Sequence, residues 1–158
     1  MNKGIIISII LFFCLLGLGV NIYLNAREPF ESAKDYAINQ SIENTEIQEV
    51  LETYYYNGKE SLVSVVGLNA KNEKLIAFVP ENKKKEITVQ KWANGMSENE
   101  ALTKLKNEKT ISKLVSTQLG LENVGPVWEI AYLDQEEDLN YYYILFETGE
   151  WWRSIENL

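Results

Sequence analysis

The stretch IIISIILFFCLLGLGVNIYL, residues 5–24, contains no charged residue and dominates the organisation of the chain. Only Ser8 and Asn21 interrupt it with strongly polar side chains. A helix rises ~1.5 Å per residue, so about twenty apolar residues cross the ~30 Å hydrocarbon core of a bilayer. The stretch therefore predicts a single membrane-spanning helix.

The residues on either side of this stretch indicate its orientation. Lys3 and the amino terminus precede it, whereas Arg27 is followed at once by Glu28 and then by Glu31. Because the cytoplasmic side of a membrane helix usually carries the excess of Lys and Arg, we expect a cytoplasmic N-terminus. The bulk of the chain is then expected on the outer side of the cell membrane.

A cleaved signal peptide is the alternative interpretation of the same stretch. Signal peptides have an apolar region of about 7 to 15 residues and small residues in an A-x-A-like pattern at the cleavage site. The apolar run here is longer, and residues 17–19, Gly-Leu-Gly, form a poor cleavage site inside it. Length and flanking residues favour an uncleaved anchor.

The composition restricts the chemistry of the exposed part. Cys14, the only cysteine, lies inside the apolar stretch, and the sequence has no histidine. These facts exclude a Ser-His-Asp triad, a thiol nucleophile outside the membrane and a zinc site built on His or Cys. Gly-rich phosphate-binding and dinucleotide motifs are also missing. The sequence therefore predicts no catalytic residue, no metal site and no cofactor.

The charge of the exposed part indicates which partners it favours. Without Lys3 and Arg27, residues 28–158 keep 13 of the 15 basic residues against 23 acidic ones, a formal charge of −10. Nucleic acids and anionic lipid surfaces would be repelled. A basic protein partner or a cation would be favoured.

Residues 28–93 are predicted to form a first unit of a helix and an antiparallel sheet. Apolar residues recur at helical spacing from residue 30 to residue 42 and indicate an amphipathic helix that begins at Pro29 and ends near Asn44. Three strands are expected to end this unit, at residues 62–68, 75–79 and 87–89.

The first strand of this unit is expected at residues 49–56, where the pattern changes to a period of two. The alternation places Val50, Tyr54 and Tyr56 on one face. Residues 57–58, Asn-Gly, then predict a β-hairpin.

Residues 94–158 are predicted to form a second unit with the same order of elements. Ser97 and Glu100 have the spacing of a capping box and predict the start of a helix. Residues 111–119 favour a strand, although the ragged pattern leaves a continued helix open. Further strands are expected at residues 127–133, 141–147 and 150–155.

Corresponding elements of the two units lie at a nearly constant distance along the chain. The helices start at residues 29 and 97, the second strands at 61 and 126, and the fourth strands at 86 and 150, which gives offsets of 68, 65 and 64. Such an offset indicates a duplicated unit. The predicted fold is α+β: an anchor at residues 1–27 followed by tandem units at 28–93 and 94–158.

Several motifs of the second unit resemble a PepSY domain. They are SENEA at residues 97–101, VWEIAY at 127–132, YYILF at 142–146 and TGEW at 148–151. The complete layout is similar to YpmB-like proteins of Gram-positive bacteria. The resemblance implies cystatin-like units on the cell envelope that bind or inhibit a peptidase or another envelope protein, without catalytic residues. Glu147 stands where many PepSY domains have aspartate, which weakens any ligand role at that turn.

A protein-contact surface is predicted on the second unit. Adjacent aromatic residues in a strand point to opposite faces, so some large rings are expected to be exposed, and exposed Trp and Tyr are typical of interfaces. The predicted surface combines Trp151, Trp152, Tyr141, Tyr142 and Tyr143 with the acidic turn residues Asp134, Glu136, Glu137 and Asp138. A carboxylate-based hydrolase acting on wall polymer and a small-ligand sensor remain as alternatives.

Overall fold

The computed structural model describes residues 3–158, except for the side chains of residues 3, 5–8, 10 and 24–26. The first helix, α1, is continuous over Lys3–Asn44 and contains Pro29 in its interior, so the expectation of a separate helix that begins at Pro29 is wrong. Among the described residues, no helix is long and apolar enough to cross a membrane. Part of the predicted span, residues 5–8, 10 and 24, lies outside the described side chains.

The rest of the chain forms two antiparallel four-stranded sheets and a second helix, which confirms the α+β class. The N-terminal sheet has the order β1 to β4, and the C-terminal sheet has the order β5 to β8. The elements are β1 Glu49–Asn57, β2 Ser61–Leu68, β3 Lys74–Pro80, β4 Thr88–Lys91, a 3-10 turn Trp92–Asn94, α2 Glu98–Glu108, β5 Lys113–Glu122, β6 Gly125–Leu133, β7 Leu139–Leu145 and β8 Trp151–Ile155. The segment left open between strand and helix is therefore strand β5.

The two sheets share an irregularity as well as a strand order. The first strand of each is interrupted by a bulge, between Val50 and Glu52 in β1 and between Leu114 and Ser116 in β5. The bulged positions are 64 residues apart, close to the offset in the sequence. A bulge inserts one extra residue into a strand and changes its twist, so its recurrence at matching positions is a structural similarity beyond strand count.

The bulge in β1 changes the faces expected from alternation. Val50 packs with Tyr55 against α1, whereas Tyr54 and Tyr56 point into the opposite core. The expectation that Val50 shares a face with Tyr54 and Tyr56 is therefore wrong. A single inserted residue reverses the side to which the preceding side chains point.

One core lies between α1 and the outer face of the N-terminal sheet. Its buried members are Ala37, Ile47, Val63, Val65, Leu75, Ala77 and Val79. Small Ala37 on the helix faces β-branched residues on the central strands, which lets the helix approach the sheet closely. The helix covers β1, β2 and β3 and leaves Val89 of β4 half-exposed.

A second core joins the inner face of the N-terminal sheet, α2 and the C-terminal sheet. Trp128 of β6 is fully buried in it, and its ring nitrogen donates a hydrogen bond to the Met96 carbonyl at 3.0 Å. The predicted capping box is confirmed: the Ser97 hydroxyl accepts from the Glu100 amide, and the Glu100 carboxylate accepts from the Ser97 amide. The cap fixes the start of α2 directly after the residue that holds Trp128.

Strand β5 lies with its edge against the inner face of the N-terminal sheet. The buried Ser64 hydroxyl donates to the Leu119 carbonyl at 2.6 Å. The Tyr54 ring packs edge-on against Trp128 at 5.4 Å, and the Tyr56 ring lies against Gly120. An unpaired strand edge is a liability, and here the first unit covers the edge of the second.

The β1–β2 hairpin is present, but Gly58 is needed there for a different reason from the turn that the sequence predicted. Asn57 pairs with Ser61, so the loop has three residues. A Cβ atom at Gly58 would lie 2.4 Å from the Tyr56 ring and 2.5 Å from a carboxylate oxygen of Glu122. Gly58 is therefore required for close approach of β1 and β5.

Candidate functional site

Trp151 is the exposed member of the tryptophan pair. Its side chain is 55% exposed, whereas the half-buried Trp152 packs edge-on against Tyr143 at 5.9 Å and lies beneath the Arg153 guanidinium at 4.6 Å. The sequence predicted that the pair would divide between exposed and packed positions. The structure assigns the exposed position to Trp151.

The three consecutive tyrosines do not contribute an exposed ring. Tyr142 and Tyr143 are buried and Tyr141 is half-buried, so the expectation of an exposed tyrosine face is wrong. Alternation does place Tyr142 and Tyr143 on opposite faces, but each face is covered. The Tyr142 hydroxyl donates to Glu108 of α2, and Arg153 stacks over Tyr143 at 4.2 Å.

The acidic turn is organised by its first residue. The Asp134 carboxylate accepts hydrogen bonds from the amides of Glu136 and Asp138, both at 3.0 Å, and from the Asn140 side chain at 2.8 Å. The Asn140 hydrogen bond is the main cause of the lowered pKa of Asp134. Asp134 therefore holds the turn together, while Glu136 and Glu137 point to solvent.

The acidic turn and Trp151 lie at opposite ends of the C-terminal sheet. The turn joins β6 to β7 where Leu133 pairs with Leu139, whereas Trp151 pairs with Ile144. Five residues along β7 correspond to about 17 Å at ~3.4 Å per residue. The structure does not bring the predicted acidic rim beside the predicted aromatic anchor.

A shallow groove of ≈ 430 Å³ surrounds Trp151 instead. It lies between the end of α2 and β8, and its other lining residues are Glu108, Lys109, Tyr142, Ser154 and Glu156. The Trp151 ring nitrogen donates to the Ser154 hydroxyl at 3.0 Å, which orients the indole. In the described part of the chain, β8 pairs only with β7, so its outer edge is open beside this groove.

A polar cluster that the sequence did not reveal lies on the opposite face of the same sheet. The Glu122 side chain is only 7% exposed, and one of its oxygens accepts a hydrogen bond from the Tyr56 hydroxyl at 2.7 Å. The Arg153 guanidinium is 4.0 Å from that same oxygen. Burial, and then the hydrogen bond to Glu122, raise the pKa of Tyr56. Tyr56 is therefore a neutral donor that links the two units.

Glu129 adds a second carboxylate to this cluster. Glu129 pairs with Tyr143 across the sheet, and Tyr143 pairs with Arg153. Burial raises the pKa of Glu129, although its hydrogen bond with Tyr143 and the charge of Arg153 oppose the increase. The Arg153 Nε atom is buried and has no acceptor among the described residues. The single guanidinium of Arg153 therefore interacts with the carboxyl groups of both Glu122 and Glu129.

The Glu122 end of the cluster opens into a cleft of ≈ 400 Å³ between the units. Its floor is apolar and its rim is charged; the lining residues are Lys59, Glu60, Leu62, Phe78, Pro80, Lys85, Glu86, Thr88, Leu121, Glu122 and Asn123. Within the described residues, no group of three or more side chains is arranged to hold a metal ion. The available chemistry is the binding of a cation by carboxylates.

Sequence patterns had only one signal for this cluster. Glu129 is a charged residue inside the otherwise apolar strand VWEIAYL, and such a residue needs a partner if it is buried. The partners depend on the register of β6 with β7 and on the approach of β1 to β5. Spacing along a single strand does not contain that information.

Comparison with known proteins agrees with this architecture. A family model described as a cell wall elongation regulator TseB-like domain matches residues 36–80, from the second half of α1 through β3. A protein of Bacillus subtilis (strain 168) named "Probable cell wall elongation regulator TseB" is 29% identical over 157 residues, which cover 98% of each chain. The predicted PepSY resemblance of the second unit remains a prediction.

A solved protein structure is also similar to this chain in three dimensions. The YpmB protein from Bacillus subtilis matches with a TM-score of 0.70 and 30% sequence identity, over 77% of this chain and 95% of that chain. The match spans nearly the whole of the solved chain, at an identity that reflects common descent as well as a shared fold. The chain belongs to the same family as this YpmB protein, and its residues 36–80 match a TseB-like domain.

Proposed function

We propose that this protein is a regulator of cell-wall elongation that acts by binding another protein of the cell envelope. The observation that carries the proposal is the similarity to a relative named as a probable regulator of this process, which extends over 98% of both chains. A similarity of this extent includes both units and the N-terminal helix. A peptidase or another envelope enzyme is the partner class that the PepSY resemblance implies.

The geometry around Trp151 supports binding as the mode of action. Large exposed aromatic residues beside a groove are frequent anchors of protein interfaces, where one truncated tryptophan often costs ~2 kcal/mol or more. The open edge of β8 also offers backbone groups to an added strand. Trp151 and this edge together form the contact surface that we propose.

The carboxylate-hydrolase alternative has less support. A glycoside hydrolase needs two carboxyl groups on either side of an accessible bond. Glu122 is almost completely buried and is already hydrogen-bonded to Tyr56, and the acidic turn is a solvated hairpin. The geometry therefore favours binding over hydrolysis.

We also propose that residues 5–24 anchor the protein in the cell membrane with the N-terminus in the cytoplasm. The described apolar side chains from Leu11 to Tyr23 are exposed all round α1. A helix that is apolar on every side is typical of a lipid environment. The −10 formal charge of residues 28–158 then faces the envelope, where it favours a basic partner surface.

Replacement of Trp151 tests the proposed function. Trp151→Ala and a matched control, Val124→Ala, would each be expressed as the full-length chain in cells that lack their own copy. Val124 is also half-exposed, but it lies on the β5–β6 turn, so both variants shorten an exposed apolar side chain.

We expect Trp151→Ala to weaken partner binding by about 30-fold and to produce abnormal cell length at unchanged protein abundance, with normal cells for the control. Normal cell length with Trp151→Ala at equal abundance would refute the assignment of the contact surface. Normal cell length in cells without any copy of the protein would refute the role in elongation.

A further inference from the structure

The cleft between the two units ends at a carboxylate that has unused binding capacity. Of the two Glu122 oxygens, Oε1 accepts the Tyr56 hydroxyl and faces Arg153, and Oε2 has no hydrogen-bond donor among the described residues. The Glu122 side chain is 93% buried and lines the cleft. A buried carboxylate binds a cation more strongly than an exposed one, because water competes less for it.

The charge around Glu122 favours a positively charged ligand. Arg153 is 4.0 Å from Glu122 and also lies near Glu129, so a single guanidinium offsets two carboxylates. On the rim, Lys59 and Lys85 are balanced by Glu60 and Glu86. Among the residues that line the cleft, the three carboxylates of Glu60, Glu86 and Glu122 outnumber the two lysines, so the lining carries an excess of one negative charge.

The floor of the cleft restricts the shape of the ligand. Leu62, Phe78, Pro80 and Leu121 form the apolar part of the cleft lining. A volume of ≈ 400 Å³ is within the ~300–1,000 Å³ typical of small-ligand clefts. An aliphatic stem that ends in a cationic group satisfies both the floor and the carboxylate.

The mouth of the cleft can admit such a ligand. Lys85 forms an ion pair with Glu60 across the rim, and both side chains are about half-exposed. Exposed ion pairs contribute little to stability, so this contact can open at small cost.

We propose that this cleft binds a lysine side chain of a peptide, with the ammonium group on Glu122 and the aliphatic stem on the apolar floor. The site is separate from the Trp151 surface. Trp151 pairs with Ile144 on the α2 face of the C-terminal sheet, whereas Arg153 pairs with Tyr143 on the other face. Failure of one site in an experiment therefore does not decide the other.

The test uses NMR titration of the full-length chain in detergent micelles. The probe is Nα-acetyl-lysine amide, and its isostere without the ammonium group is Nα-acetyl-norleucine amide. We expect the lysine probe to shift the methyl signals of Leu62 and Leu121 with a dissociation constant on the order of 1 mM, as for a ligand of this size. The norleucine probe should bind at least ~10-fold more weakly.

Two variants and a control locate the binding. Glu122→Gln keeps an acceptor for Tyr56 but removes the charge, and we expect it to weaken binding by at least ~10-fold. Thr88→Phe fills the cleft from an exposed rim position and should abolish the shifts without affecting the cluster. Glu136→Gln, in the exposed turn between β6 and β7 and outside the cleft, is the matched charge control and should change binding less than ~3-fold.

The same titrations can overturn the proposal. Equal binding of the lysine and norleucine probes, or unchanged binding by Glu122→Gln with intact near-UV circular dichroism, would exclude the ammonium contact. If Glu122→Gln unfolds the chain, the Thr88→Phe variant decides the question. Unchanged binding of the lysine probe to that variant would exclude the cleft as the binding site. Tighter binding of the free diamine cadaverine than of the lysine probe would exclude a peptide as the ligand.

Discussion

Ser64→Ala is expected to weaken the contact between the two units, because the Ser64 hydroxyl donates a hydrogen bond to the covered edge of β5. The Ser64 hydroxyl is buried and lies 2.6 Å from the Leu119 carbonyl oxygen. Removing the hydroxyl leaves a buried carbonyl without this donor, which costs roughly 1–3 kcal/mol. We therefore expect the free energy of unfolding to fall by about 2 kcal/mol.

Thr117→Val provides a matched control with the opposite expectation. The Thr117 hydroxyl oxygen is buried and has no hydrogen-bond partner within the described part of the chain. Valine has nearly the same shape, so the change removes an unsatisfied polar group without creating a cavity. We expect the stability to stay within ~0.5 kcal/mol of the parent or to increase by ~1 kcal/mol.

Urea unfolding of the full-length chain, followed by tryptophan fluorescence, measures both changes. At ~2–4 °C per kcal/mol for a chain of this size, Ser64→Ala should also lower the thermal midpoint by about 4–8 °C. Equal effects of the two variants would show that the Ser64 hydrogen bond has no special role. An unchanged midpoint for Ser64→Ala would refute the edge-on packing of β5 against the N-terminal sheet.

Three further predictions concern the same junction and its surroundings. Gly120→Ala should destabilise the chain by ~1–3 kcal/mol in thermal melts, because its Cβ would lie 2.4 Å from the Tyr56 ring; an unchanged melt would contradict this contact. Burial raises the pKa of Glu129, so the folded chain keeps this proton to a higher pH than the unfolded chain does. Stability should therefore fall as pH rises from the ordinary to the raised pKa, and Glu129→Gln should flatten that part of a profile of urea midpoints, whereas an identical profile would refute the shift. Ser97→Ala should cost ~1 kcal/mol in urea unfolding through loss of the α2 cap, and Ser97→Asp, which keeps a capping oxygen, should recover most of it.

Features with a local cause were predictable from the sequence. The capping box needs only Ser97, Glu100 and the helix that follows, and the structure has both of its hydrogen bonds. Strands β2 and β3 were expected within one residue of their ends, because Val-rich segments bounded by turn residues and proline leave few alternatives. The α+β class followed from these local elements.

Features that depend on distant parts of the chain were not predictable. Tyr142 and Tyr143 are both buried because α2 covers one face of the sheet while Trp152 and Arg153 cover the other. Strand alternation indicates that neighbouring residues face opposite sides, but it does not indicate whether either side is solvent. The bulge in β1 is a similar case, since no residue type in its vicinity requires it.

The junction between the units gives a physical reason why their sequences differ at matching positions. Downstream of the matching bulges the offset is 64, so Tyr56 corresponds to Gly120 and Gly58 corresponds to Glu122. These corresponding positions also contact each other: the Tyr56 ring lies where a Gly120 side chain would be, and the Glu122 carboxylate lies where a Gly58 side chain would be.

If the two units were identical, tyrosine would face tyrosine or glycine would face glycine where β1 contacts β5. The first arrangement gives a steric clash and the second leaves a void. Complementary pairs of a large residue with glycine fit only when the two units differ. The same difference between the units brings the Tyr56 hydroxyl to the Glu122 carboxylate, which lines the cleft. The interface that makes each unit specific for the other is therefore also the origin of the polar cluster, and a separated copy of either unit would lack it.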